Sequence, residues 1–397
     1  MKVKEIIVRR LSGLMRPMGL MGLLGLMGLL GSCTNDEEPP RAKTTEAPVA
    51  EVRSYATLFD EYIAKTRAWT IPDGYEAYED GAQTIGFAFT QDNNDEPIYG
   101  TFYKSGNWRV NVTDPTKSVE DIGAGTYYLY GYIPHTSGVQ LEAYDQDGNY
   151  ANYSAGAKVI LTNVPTVMPK DLCVVIGAKD GSIENDNGLR MGDFTYTAKA
   201  FSKDGDERNY VYLLFDHLYA ALRIRMKVHT DYAALRTIKL KELQLSIGET
   251  KTTPKTTPKT TITVDLARTD GSDPDESPIQ SITYNPQGEA IEGGLTFWSS
   301  AAGEKLTTDF TARVGHFMPY NISTLVLTSK YDVYDTKGNL IRENCKATNT
   351  MVLKDLFTGQ ETTKRGYSYT VNMTIQPTYL YMLSDPDLDN PTVTVSQ

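Results

Sequence analysis

The side chains from which chemistry could be built here are three cysteines, four histidines and an excess of acid over base. His135, His217, His229 and His316 are scattered along the chain, with no His-x-x-x-His spacing and no neighbouring cysteine pair. That pattern predicts no zinc site, and each histidine reads as a surface or strand-end residue. No Gly-x-Ser-x-Gly elbow, Walker loop or Gly-x-Gly-x-x-Gly turn occurs. Asp145-Gln146-Asp147-Gly148-Asn149 begins like a calcium loop, but Tyr150 and Gly156 stand where a glycine and a bidentate glutamate are required, so a polar turn is expected. Carboxylate pairs for glycoside hydrolysis exist in any acidic chain, and without a known separation they single out nothing. Trp108 and Trp298 could serve as sugar platforms, although both lie in apolar or alternating stretches and read first as core residues. The expectation is a chain without catalytic residues, metal or cofactor, and not an enzyme.

The one reactive residue in a demanding context is Cys33. Basic residues Lys2, Lys4, Arg9, Arg10 and Arg16 lead into an apolar stretch from Met18 to Leu30, where the unit Gly-Leu-Met-Gly-Leu-Leu occurs twice. The stretch is short for a bilayer span, which takes about 20 apolar residues, and suits a signal-peptide core of about 7 to 15. Leu30-Gly31-Ser32-Cys33 matches the bacterial lipobox. Residues 1–32 are then a leader and Cys33 the acylated first residue; the alternative is a plain signal peptide with an incidental cysteine. Thr34 to Pro40 is acidic and carries prolines, so 33–48 reads as a flexible tether. Acid just past the cysteine resembles the surface-export signal of lipoproteins from Bacteroides-like bacteria.

Beyond the leader about 365 residues remain, enough for two domains on the usual prior. A net charge of −11 excludes nucleic acid and anionic membrane surfaces as natural partners. Cys173 and Cys345 fall in different halves and read as two separate thiols, with a single long-range disulfide as the alternative.

Period-2 alternation dominates the rest. Tyr127 to Ile133 alternates between two sets of apolar residues, as a strand serving two environments would. Leu222, Ile224, Met226 and Val228 alternate with Arg223, Arg225 and Lys227, and Tyr369, Val371, Met373 and Ile375 with Thr370, Asn372 and Thr374. Ile238 and Leu240 share one parity and Leu243, Leu245 and Ile247 the other, which predicts a β-bulge at Lys241-Glu242. Turn signals such as Ser105-Gly106-Asn107 and Lys337-Gly338-Asn339 punctuate these runs. Only Ser54 to Ala64 and Tyr212 to Leu222 suggest short helices. The fold class is mainly β, of sandwich type, with 49–205 and 206–397 as the two domains and the boundary in the polar stretch Phe201 to Arg208. Lys251 to Pro258 repeats Lys-Thr-Thr-Pro and reads as an exposed loop or hairpin tip. The acidic stretch Asp385 to Pro391 reads as an extended linker before the final strand.

Several segments together resemble a known family: the lipobox, Thr66-Arg67-Ala68-Trp69, Gly125 to Tyr132, Leu214-Phe215-Asp216-His217-Leu218, and Tyr379 to Pro386. In this order they resemble fimbrillin-like pilus subunits, over nearly the whole mature chain. The resemblance implies two tandem transthyretin-like Greek-key β-sandwiches in a lipoprotein of the type V pilus system of Bacteroides-like bacteria. It implies an outer-membrane, surface-exposed precursor held by its lipid anchor, and a fimbrium after processing. It further implies that a trypsin-like protease cuts after an arginine to remove the first strand, and that a neighbouring subunit's C-terminal strand fills the groove.

Under that scheme the cut must follow the first strand. Arg67 meets this condition, because Val49 to Ile63 could be the removed segment; Arg53 is the alternative, although a cut there or at Arg41 would leave most of that segment in place. Thr392, Val393, Thr394 and Val395 alternate and form the donor-strand candidate, with pairing inside its own domain as the alternative. Partners are then other pilin subunits and the maturation protease, and a stalk position is favoured over anchor or tip. A surface lipoprotein that binds glycans is the alternative function.

Overall fold

The computed structural model of the chain describes residues 50–57, 60–61, 75–77, 84–92, 96–105, 107–135, 140–144, 153–181, 188–201, 209–247, 255–270, 276–377 and 386–395. Among these, nearly everything outside turns is strand, and the two α-helices, Thr230–Ala233 and Leu353–Leu356, are single turns.

The largest sheet has nine strands. Its order is Tyr75–Ala77, Ala50–Thr57, Asn209–His217, Cys173–Gly181, Gly125–Ile133, Ile85–Thr90, Ile98–Ser105 and Asn107–Val112, with Thr195–Ala198 also paired to Gly125–Ile133. Both faces of this sheet are covered. Val211, Leu213 and Phe215 enter one core with Phe87, Phe89, Phe102 and Trp108, while Tyr212 and Leu214 enter another with Tyr130, Tyr132 and Val174. A strand buried on both faces is apolar at every position, which is why Val211 to Phe215 carries no alternation. The sheet curls until Asn107–Val112 comes against Ala50–Thr57. A four-stranded sheet, ordered Ile279–Gln287, Lys259–Ala267, Gly156–Pro165 and Gln140–Tyr144, supplies the far side of the second core.

A third core lies between two further sheets. One is ordered Asp60–Glu61, Tyr367–Pro377, Tyr219–Val228 and Thr311–Pro319, with Pro386–Val395 also on Tyr367–Pro377; the other is ordered Leu295–Lys305, Arg236–Ile247, Thr324–Asp335 and Leu340–Val352. Leu222, Ile224, Met226, Val228, Tyr369, Val371, Met373 and Ile375 all point into that core, as their alternation required. The ladder of Arg236–Ile247 shifts register between Leu240 and Glu242 against both neighbours, so the bulge lies where the parity switch put it.

Three readings are corrected. The residues described from Ser54 to Glu61, and those from Tyr212 to Leu222 except Leu218, form strands and not helices, because cross-strand pairing decides a short apolar run that fits either period. The repeat near 255 is not wholly exposed: Lys255–Thr256 pairs with Ile291–Glu292, and the buried Thr256 hydroxyl bonds the Ser246 hydroxyl at 2.9 Å and accepts from the Ile247 amide at 2.9 Å. The described part of the acidic stretch, 386–391, lies inside the last strand. Among the described residues, four ladders join residues on either side of 205/206: Asn209–His217 with both Ala50–Thr57 and Cys173–Gly181, Lys259–Ala267 with Gly156–Pro165, and Asp60–Glu61 with Tyr367–Pro377.

Candidate functional site

Ala50–Thr57 alternates cleanly. Ala50, Val52, Ser54 and Ala56 point into the aromatic core of the large sheet, and Glu51, Arg53 and Tyr55 are half-buried on the other face. Seven residues, Ala50 to Ala56, pair in parallel register with Asn209 to Phe215. On its other edge, among the described residues, the strand is paired through Tyr55, Ala56 and Thr57, which meet Ala77, Glu76 and Tyr75. The bulk of the core comes from elsewhere: Phe87, Phe89 and Phe102 pack against one another with centroids 4.5 to 6.3 Å apart. The first strand therefore supplies small side chains to a core that the other strands largely build.

The same segment continues past the large sheet. Asp60–Glu61 runs parallel to Tyr367–Ser368, whose strand in turn runs parallel to Ala221 to Val228. Ala50–Thr57 and Asp60–Glu61 thus border strands on both sides of Leu218, the single residue between Asn209–His217 and Tyr219–Val228. The last strand meets the same edge: Val371, Asn372, Met373 and Thr374 face Val395, Thr394, Val393 and Thr392 in antiparallel register. The N-terminal and C-terminal strands therefore lie end to end along one side of Tyr367–Pro377.

Near Leu218 several buried polar groups meet. Arg365 donates to the Asp216 carboxylate and, at 2.9 Å, to the His217 carbonyl; Asp216 accepts from the His217 amide at 2.9 Å. Burial alone would lower the Arg365 pKa, yet the adjoining Asp216 carboxylate holds it above the ordinary arginine value. On the other face of His217, its Nδ1 lies 2.5 Å from Asp171 Oδ2 and 3.5 Å from Cys173 Sγ, and Sγ lies 3.1 Å from the same oxygen. Spacing along the chain hid this trio, since 44 residues separate the cysteine from the histidine. The ladder sets Cys173 directly opposite His217, and Asp171 shares the parity of Cys173.

The other histidines are dispersed. His135 contacts the Tyr132 hydroxyl just past a strand end, and burial lowers its pKa. His229 caps a helical turn by accepting from the Asp231 amide at 3.3 Å. His316 lies within Thr311–Pro319, buried against Phe297 with centroids 5.1 Å apart, and is neither a surface nor a strand-end residue.

Arg53 sits inside the ladder opposite Tyr212. Cys33, Arg41, Arg67, the tether 33–48, the loop Asp145 to Tyr150 and the stretch 202–208 lie outside the described residues. Thr392, Val393, Thr394 and Val395 are in a strand that pairs within its own chain. Trp108 is only 5% exposed and offers no face to a sugar, whereas Trp298 is half-buried against the third core. Cys173 and Cys345 are not joined in a disulfide. Among the described residues no helix is long and apolar enough to cross a membrane.

No protein-family model and no curated protein matches the chain. Solved structures similar to it include a candidate cell adhesion protein from Bacteroides uniformis, at 13% identity, covering 88% of this chain and 96% of that one with a TM-score of 0.37. Another is a candidate cell adhesion protein from Bacteroides fragilis, at 13% identity, 88% and 97% coverage and a TM-score of 0.38. A third is a fimbrial protein from Bacteroides vulgatus, at 14% identity, 87% and 97% coverage and a TM-score of 0.33.

Proposed function

We propose that this chain is a structural subunit of an adhesive surface fibre, held first by acylated Cys33 and polymerised when proteolysis after Arg67 removes its first strand. A neighbour's C-terminal strand, centred on Thr392 to Val395, then fills the vacated slot. The observation that carries this reading is the placement of Ala50–Thr57: a near-terminal strand with small inward side chains, bonded in parallel to the strand Asn209–His217. Removing it leaves seven residues of that strand with an unpaired edge beside an apolar slot, the condition for strand addition. In sequence, Val393 and Val395 alternate with threonines as Val52 alternates with Glu51 and Arg53, the pattern that strand addition calls for.

The position of Arg53 supports the later cut. A protease needs extended, accessible chain, and Arg53 is half-buried and held in the ladder; a cut there would also leave Ser54 to Thr57 in the slot. No catalytic, metal or cofactor role belongs to this reading; of the similar solved structures, two are named for cell adhesion and one as a fimbrial protein.

The test is limited trypsin treatment of the purified precursor. The expected outcome is a new N-terminus at Ala68 together with filamentous or detergent-resistant species, both lost in Arg67→Ala, and assembly alone lost on truncation after Asn390. Clipped protein that stays monomeric would overturn the proposal.

A further inference from the structure

Asp171, Cys173 and His217 bring a carboxylate oxygen, a thiol sulfur and an imidazole nitrogen within 4.8 Å of one another, and all three residues are buried. A hydrolytic or acyl-transfer triad needs the histidine to contact its nucleophile through one ring nitrogen and its carboxylate through the other. Here both contacts fall on Nδ1, so the arrangement is not a relay. Convergence of three different donors on one point is instead what a metal ion requires.

We propose that Asp171, Cys173 and His217 bind a thiophilic divalent cation, Zn2+, through Oδ2, Sγ and Nδ1. In a tetrahedral zinc site, donor atoms stand about 3.3 to 3.6 Å apart. The sulfur-to-nitrogen separation of 3.5 Å already has that value. Sulfur to oxygen at 3.1 Å and nitrogen to oxygen at 2.5 Å must widen, and both adjustments fall on the Asp171 carboxylate. The residue that must move is the one able to: Cys173 and His217 are pinned in opposed strands, while Asp171 precedes its strand and is the most exposed of the three at 8%. With three protein donors, the fourth tetrahedral position would fall to water.

Without metal, the short contacts are hydrogen bonds to the carboxylate, with protons on Sγ and Nδ1. Zn2+ takes their place as the thiol releases its proton and the imidazole presents a lone pair at Nδ1, so binding releases protons and tightens as pH rises. Thiolate with imidazole and carboxylate favours zinc over calcium or magnesium, which take oxygen donors. The ion would tie the start of Cys173–Gly181 to the end of Asn209–His217, the strand beside which Ala50–Thr57 lies. This inference does not depend on how the chain assembles.

The full chain carrying Cys33→Ser and Cys345→Ser keeps Cys173 as its one thiol. Titrating this reduced protein with Co2+ should give a thiolate-to-metal absorption band that saturates at one ion per chain and is displaced by Zn2+. Zn2+ should also raise its melting temperature. Cys173→Ser should abolish the band, and His217→Gln should weaken binding by at least about tenfold. A cooperatively melting Cys173 protein without the band would overturn the proposal, as would a band whose Co2+ affinity is unchanged in His217→Gln.

Discussion

Arg365 and Asp216, 149 residues apart in sequence, form an ion pair beside the single residue that separates two consecutive strands of different sheets. Asp216 is 0% exposed, so its charge depends on partners supplied from within the protein. Removing one member of a buried pair typically costs about 3 to 5 kcal/mol, because a desolvated charge loses its counterpart. Arg365→Met should lower stability by that amount in urea unfolding, and adding Asp216→Asn should recover part of it. Equal losses in the single and double variants would mean that the ion pair is not the source.

Strand exchange predicts competition by an isolated strand. A synthetic peptide of residues 386–397 should bind the trypsin-clipped subunit and stop chain growth, while leaving the intact precursor unlabelled. Replacing Val393 and Val395 by Asp in the peptide should abolish capture, since inward positions of an added strand must be apolar. Equal binding to clipped and intact protein would place the peptide elsewhere than in the slot.

The two tryptophans separate folding from sugar binding. Trp108 lies in the core with Phe89 and Phe102, so Trp108→Ala should cost about 3 to 5 kcal/mol. Trp298→Ala, at a half-buried site, should cost less. If the chain is a fibre subunit, Trp298→Ala should leave retention on polysaccharide columns as it was; a selective drop would favour the glycan-binding alternative.

Acid should unfold the protein through specific carboxyls. Burial pushes Asp332 up, but the Lys241 ammonium at 2.8 Å and the Asn344 amide at 2.8 Å more than offset it and hold the group below its ordinary value. Asp335 is also lowered, by the Asn339 side chain and the amides of Asn339 and Lys337 in the hairpin turn. A lowered folded pKa contributes stability that is complete above the unfolded value of about 3.9 and disappears as pH falls through the folded value. Stability should therefore decline below about pH 4 in fluorescence-detected unfolding, and Asp332→Asn should shrink that decline. An unchanged acid limb would exclude this pair as a cause.

Much of the fold was legible wherever one face of a strand meets solvent or a polar neighbour, as at Leu222 to Val228 and Tyr369 to Ile375. The parity switch even located the bulge at Lys241. Burial on both sides was legible at Tyr127 to Ile133, but not at Val211 to Phe215, whose continuous apolar run fits a helix as well as a strand. Legibility failed again for Asp171, Cys173 and His217, because cross-strand register makes neighbours of residues whose chain separation carries no signal. Thr256 was misread for a third reason, since a low-complexity repeat hides a hydroxyl that completes buried hydrogen bonds.

The parallel pairing of Ala50–Thr57 with Asn209–His217 bears on the growth of a fibre. An incoming strand that rebuilds the same ladder must run the same way, entering at the Asn209 end and finishing near His217. Each junction is then head-to-tail, with unlike surfaces meeting, and such contacts extend without closing unless their rotation returns to the start. A filament built this way has two chemically different tips, one offering a slot and the other a tail, so elongation and capping become separate events that end-specific reagents can tell apart.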